Sequence, residues 1–222
     1  MVTDPEQIRI ILKKYFTIRG DVTIHPNGVV DVRGDVDVNI PPPEDHLPIQ
    51  FGEVTGGFSY NAYREKHTWR SLKGSPHTVG YDYDCSSTRV GSLEGAPRRV
   101  GGSFKATFCN LKNLVGGPTH VDHYIARANP LMSLEGLATT IPGEIDFDLM
   151  PNLPVLRSLV ASEIYVLSAM NKEEIRVLDD KSARDADAVA DILQKYAGKG
   201  KAGALKAAVD LIRAGYKEHA RW

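Results

Sequence analysis

The stretch SLEGAP, residues 92–97, recurs along the chain with small changes. Its other copies are SLKGSP at 71–76, NLVGGP at 113–118 and SLEGLA at 133–138, with leucine spacings of 21, 21 and 20 residues. Such a period is typical of stacked coils, because one coil cannot bury its own apolar side and needs a neighbour above and below. We therefore interpret each copy as a coil corner whose glycine adopts a positive φ or lies close to neighbouring backbone. The alternative is an antiparallel β-meander with regular turns.

A second apolar set keeps the same period and predicts one short strand in each coil. Its first members are Val54, Val79, Val100, Val121 and Ile141. Four positions beyond them lie Phe58, Tyr83, Phe104, Ile125 and Ile145. Val32 and Val36 fit the same pair 22 residues before Val54 and predict an additional coil. Because side chains alternate along a strand, the fourth and sixth positions should point inward and the third and fifth outward.

These repeats carry a family resemblance. The segments LPIQFGEVTGGF (47–58) and SLEGAPRRVGGSF (92–104), and the ending LIRAGYKEHARW (211–222), resemble leucine-rich-repeat-like proteins encoded by tailed bacteriophages. The resemblance covers about residues 24–150 and implies a solenoid and a viral origin, but no particular reaction. Val121-Asp122-His123 and Leu137-Ala138 depart from the repeat pattern, which puts the turn geometry of those two coils in question.

Both ends of the stack should be capped, because terminal coils would otherwise expose core. Residues 3–16 read as a helix with Thr3 as N-cap, and Asn27-Gly28 indicates a hairpin turn after it. Two further helices are expected near the C-terminus, the first with a capping box at Ser182 and Asp185. The apolar stripe of the second is Leu205, Val209, Ile212 and Tyr216.

We therefore predict an α+β fold, a short leucine-rich-repeat-like β-solenoid with parallel strands, an N-terminal capping helix and a C-terminal helical hairpin. The predicted boundaries are 1–23 for the capping helix, 24–150 for the solenoid and 151–222 for the helical cap.

The bulk composition gives no reason to expect a membrane or nucleic acid as partner. The net charge is −1, and no apolar run reaches the roughly 18 residues of a transmembrane helix. Two cysteines are too few for a disulfide framework, and the N-terminus lacks a signal peptide's apolar run. With the viral origin that the resemblance implies, the expected location is the host cytoplasm. Residues 195–222 are an exception to the balanced charge, with seven Lys/Arg against Asp210 and Glu218.

The outward positions of the predicted strands are mostly acidic. They include six carboxylates and one lysine: Asp35, Asp37, Asp82, Asp84, Glu144, Asp146 and Lys105. Adjacent strands lie about 4.8 Å apart, so Asp82 and Asp84 should stand near Lys105. Tyr124 also falls on an outward position. One interpretation is a solvated face whose charges prevent aggregation, and the other is a docking surface for a basic partner.

An insertion in the first repeat, YREKHTWR at 63–70, adds Tyr63 and Arg64 to this surface. Loops on a rigid scaffold often carry binding function, and exposed Tyr and Arg are common interface anchors. The predicted partner-binding residues are Tyr63, Arg64, Asp82, Asp84, Lys105 and Tyr124.

The motifs with catalytic potential are weak. His120 and His123, with His77 one coil earlier, lack the helical presentation and further ligands of a zinc site. Cys85 falls on an inward position, and AGKGKAG (197–203) lacks the hydroxyl residue and preceding strand of a phosphate-binding loop. We therefore expect no enzyme, no metal and no cofactor.

Three functions remain open from the sequence. The first is a phage protein-protein interaction module that binds a host protein and inhibits or redirects it, for example a defence factor. The second is a structural component of the virion or of its assembly. The third is a protein that binds or sequesters a small molecule such as a nucleotide near the C-terminal hairpin.

Overall fold

The computed structural model describes residues 1–60, 69–168 and 180–222. It confirms the predicted α+β fold, a parallel-strand β-solenoid of about six turns with an N-terminal helix and C-terminal helices. None of the helices in these ranges is long and apolar enough to cross a membrane.

The N-terminal helix α1 (Pro5–Tyr15) begins one residue later than expected, because its N-cap is Asp4 and not Thr3. The Asp4 carboxylate accepts a hydrogen bond from the Glu6 backbone N–H at 2.8 Å, so it satisfies a donor that the first turn leaves free. Ile8 and Leu12 are buried and pack the helix onto the end of the stack.

After α1 the chain forms a long antiparallel hairpin of β1 (Phe16–Ile24) and β2 (Val29–Val38). The predicted Asn27-Gly28 turn joins the two strands, with Gly28 at φ +81°. Strand β1 pairs with residues 30–38 of β2 on the side opposite the next coil. It therefore covers the edge that the first coil would otherwise expose.

Two parallel ladders run from β2 along the stack. The first ladder contains β2, β3 (Gln50–Val54), β5 (Thr78–Val79) and β7 (Arg99–Val100). The second contains β2, β4 (Phe58–Ser59), β6 (Tyr83–Asp84), β8 (Ser103–Lys105), β9 (His123–Ile125), β10 (Ile141–Leu149) and β11 (Ala161–Ser168). The coils from β3 to β8 thus carry two short strands each rather than the single strand expected, because glycines such as those at 56–57 and 101–102 separate the two.

The register agrees with the period found in the sequence. Val32 pairs with Val54, and the valines continue to Val79 and Val100. On the second ladder Val36, Phe58, Tyr83, Phe104 and Tyr124 follow one another. Successive ring centroids from Phe58 to Tyr124 lie 5.8, 5.4 and 5.1 Å apart, so the second ladder contributes a column of aromatic rings to the core.

The parallel sheet continues past residue 150, because β11 pairs in parallel with β10. Helix α2 (Asp180–Gln194) packs against β11, and Gln194 extends to its backbone. The Gln194 Oε1 atom accepts from the Ile164 N–H at 2.9 Å, and its Nε2 donates to the Ser162 carbonyl at 3.3 Å. One amide side chain thus replaces part of the next strand at this edge.

The predicted capping box of α2 is wrong, because the helix already begins at Asp180. The Ser182 hydroxyl instead lies 2.8 Å from the Ser168 hydroxyl on β11, and Asp185 accepts a hydrogen bond from Tyr216 at 3.1 Å. Both side chains therefore connect α2 to neighbouring elements.

The last helix, α3 (Gly200–Arg213), packs with a different face from the one predicted. The buried residues are Gly203, Ala207 and Leu211, whereas Leu205 and Ile212 remain exposed. The expectation that the larger side chains pack inward is wrong here, because small residues let α3 approach its neighbours closely.

Candidate functional site

The outer face of the second ladder is the surface on which the predicted site residues were expected. Its first row contains Asp35, Gly57, Asp82, Ser103, His123, Glu144 and Glu163. Its second row contains Asp37, Ser59, Asp84, Lys105, Ile125, Asp146 and Tyr165. Each row is straight because the strands are parallel and in register, so the charges form a defined linear pattern.

At the N-terminal end of the two rows, one arginine contacts both carboxylates. Arg19 on β1 donates to Asp37 at 2.7 Å and lies 3.5 Å from Asp35. The Asp35 carboxylate also accepts from the Gly57 backbone N–H at 2.9 Å, which joins it to the next coil. These two carboxylates therefore serve the contact between β1, β2 and β4.

In the middle of the face, Asp82 and Lys105 form an ion pair of 2.6 Å. Asp82 also accepts from the Ser103 backbone N–H at 2.9 Å, in the way that Asp35 accepts from Gly57. Partial burial opposes ionisation of Asp82, but the Lys105 ammonium and the Ser103 N–H outweigh it and lower the pKa of this carboxyl. The structure therefore brings Asp82 and Lys105 together as predicted, and they neutralise each other.

Asp84 is occupied within its own turn. Its carboxylate accepts from the Ser86 backbone N–H at 2.9 Å, while its side chain remains partly exposed. Its use by a partner remains a prediction.

Tyr124 does not lie on the outer face, so the expectation for this residue is wrong. It is fully buried and packs against Phe104 in the core with the two rings tilted by 51°. The reason is the departure already visible at Val121-Asp122-His123, where the coil is one residue shorter than its neighbours. His123 and Ile125 consequently take the outward positions, and Tyr124 takes the inward one. Tyr63 and Arg64 lie outside the described residues, and their role remains a prediction.

The C-terminal end of the face has an acidic surplus. Strands β10 and β11 contribute four carboxylates, and Arg127 from the preceding coil is close to one of them. The carboxylates are Glu144, Asp146, Asp148 and Glu163. We call these four residues, together with Tyr165 and Leu167, the acidic end. The surplus arises because β10 and β11 are nine and eight residues long, whereas strands β3 to β9 have two to five.

Asp146 and Asp148 lie deep in this acidic end. Asp146 pairs with the guanidinium of Arg127 through Oδ2, while its buried Oδ1 has no hydrogen-bond partner within residues 1–60, 69–168 and 180–222. Asp148 accepts from the Ala128 backbone N–H at 2.5 Å. Burial is the main cause that raises the pKa of Asp148 to about 6, and the negative charge of Asp146 adds to it, against the opposing effects of Ala128 and Arg127.

Exposed apolar groups adjoin these charges. Tyr165 is 46% exposed and Leu167 is 38% exposed, and both lie on the outer side of β11. The Tyr165 hydroxyl donates to Glu163 at 3.0 Å, which orients the ring beside the carboxylate. An aromatic ring, an aliphatic side chain and several carboxylates thus occur side by side.

Sequence reasoning identified Glu144 and Asp146 in this acidic end and missed Asp148, Glu163 and Tyr165. Asp148 lies near the end of β10 and the other two lie on β11, all beyond the last recognisable corner. The signal that indicates β11 is the alternation in ASEIYVLS (161–168), where Ile164, Val166 and Ser168 point inward.

The described histidines contact neighbouring side chains, and the two cysteines are buried. No group of three or more His, Cys, Asp or Glu side chains in the described parts of the chain is arranged to hold a metal ion. His123 lies 3.9 Å from Glu144, and His120 lies 3.0 Å from the Thr119 hydroxyl. Cys85 and Cys109 are buried free thiols, and burial raises the pKa of Cys85 well above its ordinary value. A neutral, buried thiol at Cys85 is a poor nucleophile.

A groove of about 660 Å³ lies on the first ladder, on another surface of the molecule. Arg99, His120, Thr139 and Thr140 line it, and all four are exposed. It is open and contains no buried charged side chain that would fix a ligand, so the outer face remains the better candidate.

No protein-family model, curated protein or solved structure matches this chain.

Proposed function

We propose that the protein is an interaction module that binds a basic protein partner through the acidic end of its outer sheet face. The observation that carries the proposal is the distribution of charge along the two rows. Arg19 contacts Asp35 and Asp37 at the N-terminal end, and Lys105 contacts Asp82 in the middle. At the acidic end Arg127 pairs with the buried Asp146, whereas Glu144 and Glu163 lie at the surface.

The apolar groups beside these carboxylates can add binding energy to the electrostatic attraction. Exposed ion pairs contribute only about 0–1 kcal/mol each, so carboxylates alone mainly steer association. Aromatic anchors that lose water on binding contribute more, and Tyr165 is well placed to serve as one beside Glu163. A partner surface with arginine or lysine around an apolar centre would complement this arrangement.

The resemblance to phage proteins supports a host protein as the partner, and a defence factor is one candidate. The Tyr63 and Arg64 insertion is a second predicted contact of the same partner. These two residues belong to the insertion in the first repeat, which precedes the coil of Asp82 in the sequence.

The proposal is tested by tagged pull-down from a lysate of the bacterial host, followed by affinity measurement with each protein recovered. The test variant is Glu144→Gln/Glu163→Gln, and the matched control is Asp35→Asn/Asp37→Asn. Both remove two negative charges from the outer face, but the control changes the two carboxylates that Arg19 contacts. We expect the test variant to slow association about tenfold at low salt and the control to stay near wild type.

Tyr165→Ala should instead act on dissociation and weaken binding at least about tenfold, because it removes an apolar anchor. The proposal is wrong if both charge variants lose binding equally, since general electrostatic attraction would then explain the result. It is also wrong if only Tyr63→Ala/Arg64→Ala loses binding, which would move the site to the insertion.

A further inference from the structure

Helix α3 carries an apolar stripe on its solvent side. Leu205 is 78% exposed, Ile212 is 55% exposed and Val209 is 37% exposed. Their spacing of four and three residues places them on one side of the helix. Single exposed apolar residues are ordinary. Three large ones aligned on the solvent side of a helix that already packs through its other face indicate a binding surface.

The charges around the stripe are positive. Lys206 and Arg213, seven residues apart, flank it on one side, and Lys201 lies one turn before Leu205. All seven Lys and Arg residues of 195–222 are exposed. The two acids of this segment have neighbours of their own: Asp210 accepts from the Tyr196 hydroxyl at 2.7 Å, and Glu218 lies 3.8 Å from His219. The net charge of −1 for the whole chain therefore conceals a basic C-terminal surface.

We infer that α3 docks on an anionic lipid surface, with Leu205, Val209 and Ile212 entering the headgroup region and Lys201, Lys206 and Arg213 contacting lipid phosphates. An amphipathic helix with large apolar residues on one side and cations beside them has the composition of interfacial helices. The helix lies on the bilayer and does not cross it. Each cation near such a surface adds attraction to that of the apolar groups.

Other occupants fit the stripe less well. A second copy pairing through the same face would bring Lys206 and Arg213 close to like charges, which opposes association. Three apolar side chains offer far less than the about 800 Å² that each partner buries in a standard protein interface. Nucleic acid would contact the basic side chains through its phosphates and would leave the apolar stripe exposed to solvent.

The test measures co-sedimentation of the full chain with vesicles of equal parts phosphatidylcholine and phosphatidylglycerol, with pure phosphatidylcholine vesicles as the lipid control. We expect binding only to the anionic vesicles, and release at about 1 M salt, where the Debye length falls to about 3 Å.

Two matched pairs of variants separate charge from apolar contact. Lys206→Gln/Arg213→Gln should lower partition about 30-fold, whereas Arg98→Gln/Arg99→Gln removes the same charge elsewhere and should have little effect. Leu205→Gln should lower partition about tenfold, whereas Met132→Gln, at another exposed apolar residue, should not. All six substituted side chains are exposed, so circular dichroism and thermal unfolding should match wild type.

The inference is overturned if anionic vesicles do not bind, or if the Arg98/Arg99 variant loses as much binding as the Lys206/Arg213 variant. An unchanged Leu205→Gln would also overturn it, because adsorption would then rest on charge alone. Binding of polyglutamate without binding of vesicles would assign the stripe to an acidic protein instead. None of these variants alters the acidic end, so the result is independent of the proposed protein partner.

Discussion

Each repeated corner ends at a glycine that lies against the backbone of the preceding coil. Gly95 has φ +91°, and a Cβ atom there would come within 2.9 Å of the Leu72 carbonyl carbon and the Lys73 nitrogen. Gly91 also has a positive φ, +74°, but a Cβ atom there would meet nothing within 4 Å. A comparison of the two positions therefore separates the effect of backbone conformation from that of close contact between coils.

Gly95→Ala should consequently destabilise the protein more than Gly91→Ala. Both substitutions place a side chain in the left-handed region, which costs about 1 kcal/mol. Only Gly95→Ala must also move two coils apart, so we expect at least about 1 kcal/mol of additional loss in the free energy of unfolding. Urea denaturation measures both, and equal losses would show that the corner tolerates a Cβ atom.

Asp148 makes stability depend on pH in a direction opposite to that of an ion-paired carboxylate. Its pKa is raised to about 6 in the folded protein, against about 3.9 in an unfolded chain. The folded state therefore binds the proton more tightly, and the stabilising contribution is complete below about pH 4 and is lost as the pH rises through about 6.

Asp148→Asn should flatten this part of the profile, because the amide imitates the neutral carboxyl and its oxygen can still accept from Ala128. Thermal midpoints between pH 4 and pH 7 would show it, with Asp122→Asn as a control that removes an exposed carboxylate. A wild-type slope that persists in Asp148→Asn would assign the titration to another group.

At the scale of elements, the last strand determines how the stack ends. The edge of β11 is closed by the Gln194 side chain, which pairs with the Ile164 N–H and the Ser162 carbonyl. Gln194→Ala should lower the free energy of unfolding by about 1–3 kcal/mol, because the amide of the buried Ile164 loses its partner. Hydrogen exchange of the Ile164 amide should accelerate as well. Lys195→Ala is the control, and an equal effect there would remove the special role of Gln194.

Periodicity predicts elements well where the corner motif is present. The anchors from Val32 to Val100 take the expected register because each coil repeats the same spacing. The corner motif does not occur beyond the last coil. Strand β11 was therefore not predicted, although inward and outward residues alternate along it. The prediction of the buried face of α3 was wrong for a different reason. This helix has apolar residues on two sides, and only tertiary packing decides that Ala207 and Leu211 face inward.

The same limit applies to the candidate site. Asp82 and Lys105 were predicted together because their spacing is regular, whereas one missing residue before Tyr124 moved that side chain from the surface to the core. A shift of one residue reverses every side chain of a strand, so outward and inward positions are the least secure inference from a period.

At the scale of the whole molecule, a near-zero net charge hides three distinct surfaces. The outer face is partly charge-compensated at its N-terminal end and more acidic at β10 and β11, and the C-terminal segment is basic. The net charge of the whole chain averages these regions. It therefore gave no reason to expect a charged partner, although a local surface can bind one. The protein-binding and lipid-binding proposals depend on this separation and use different ends of the charge distribution.

The uniform coil spacing also sets the distance between the two ends of the stack. Each coil adds one step of about 4.8 Å between the β1–β2 hairpin and the acidic end. Because a coil bonds only to its two neighbours, gain or loss of one 21-residue unit would change that distance without rebuilding either end. Descendants of such a gene can therefore adjust the reach of the surface by whole steps, which single substitutions cannot do.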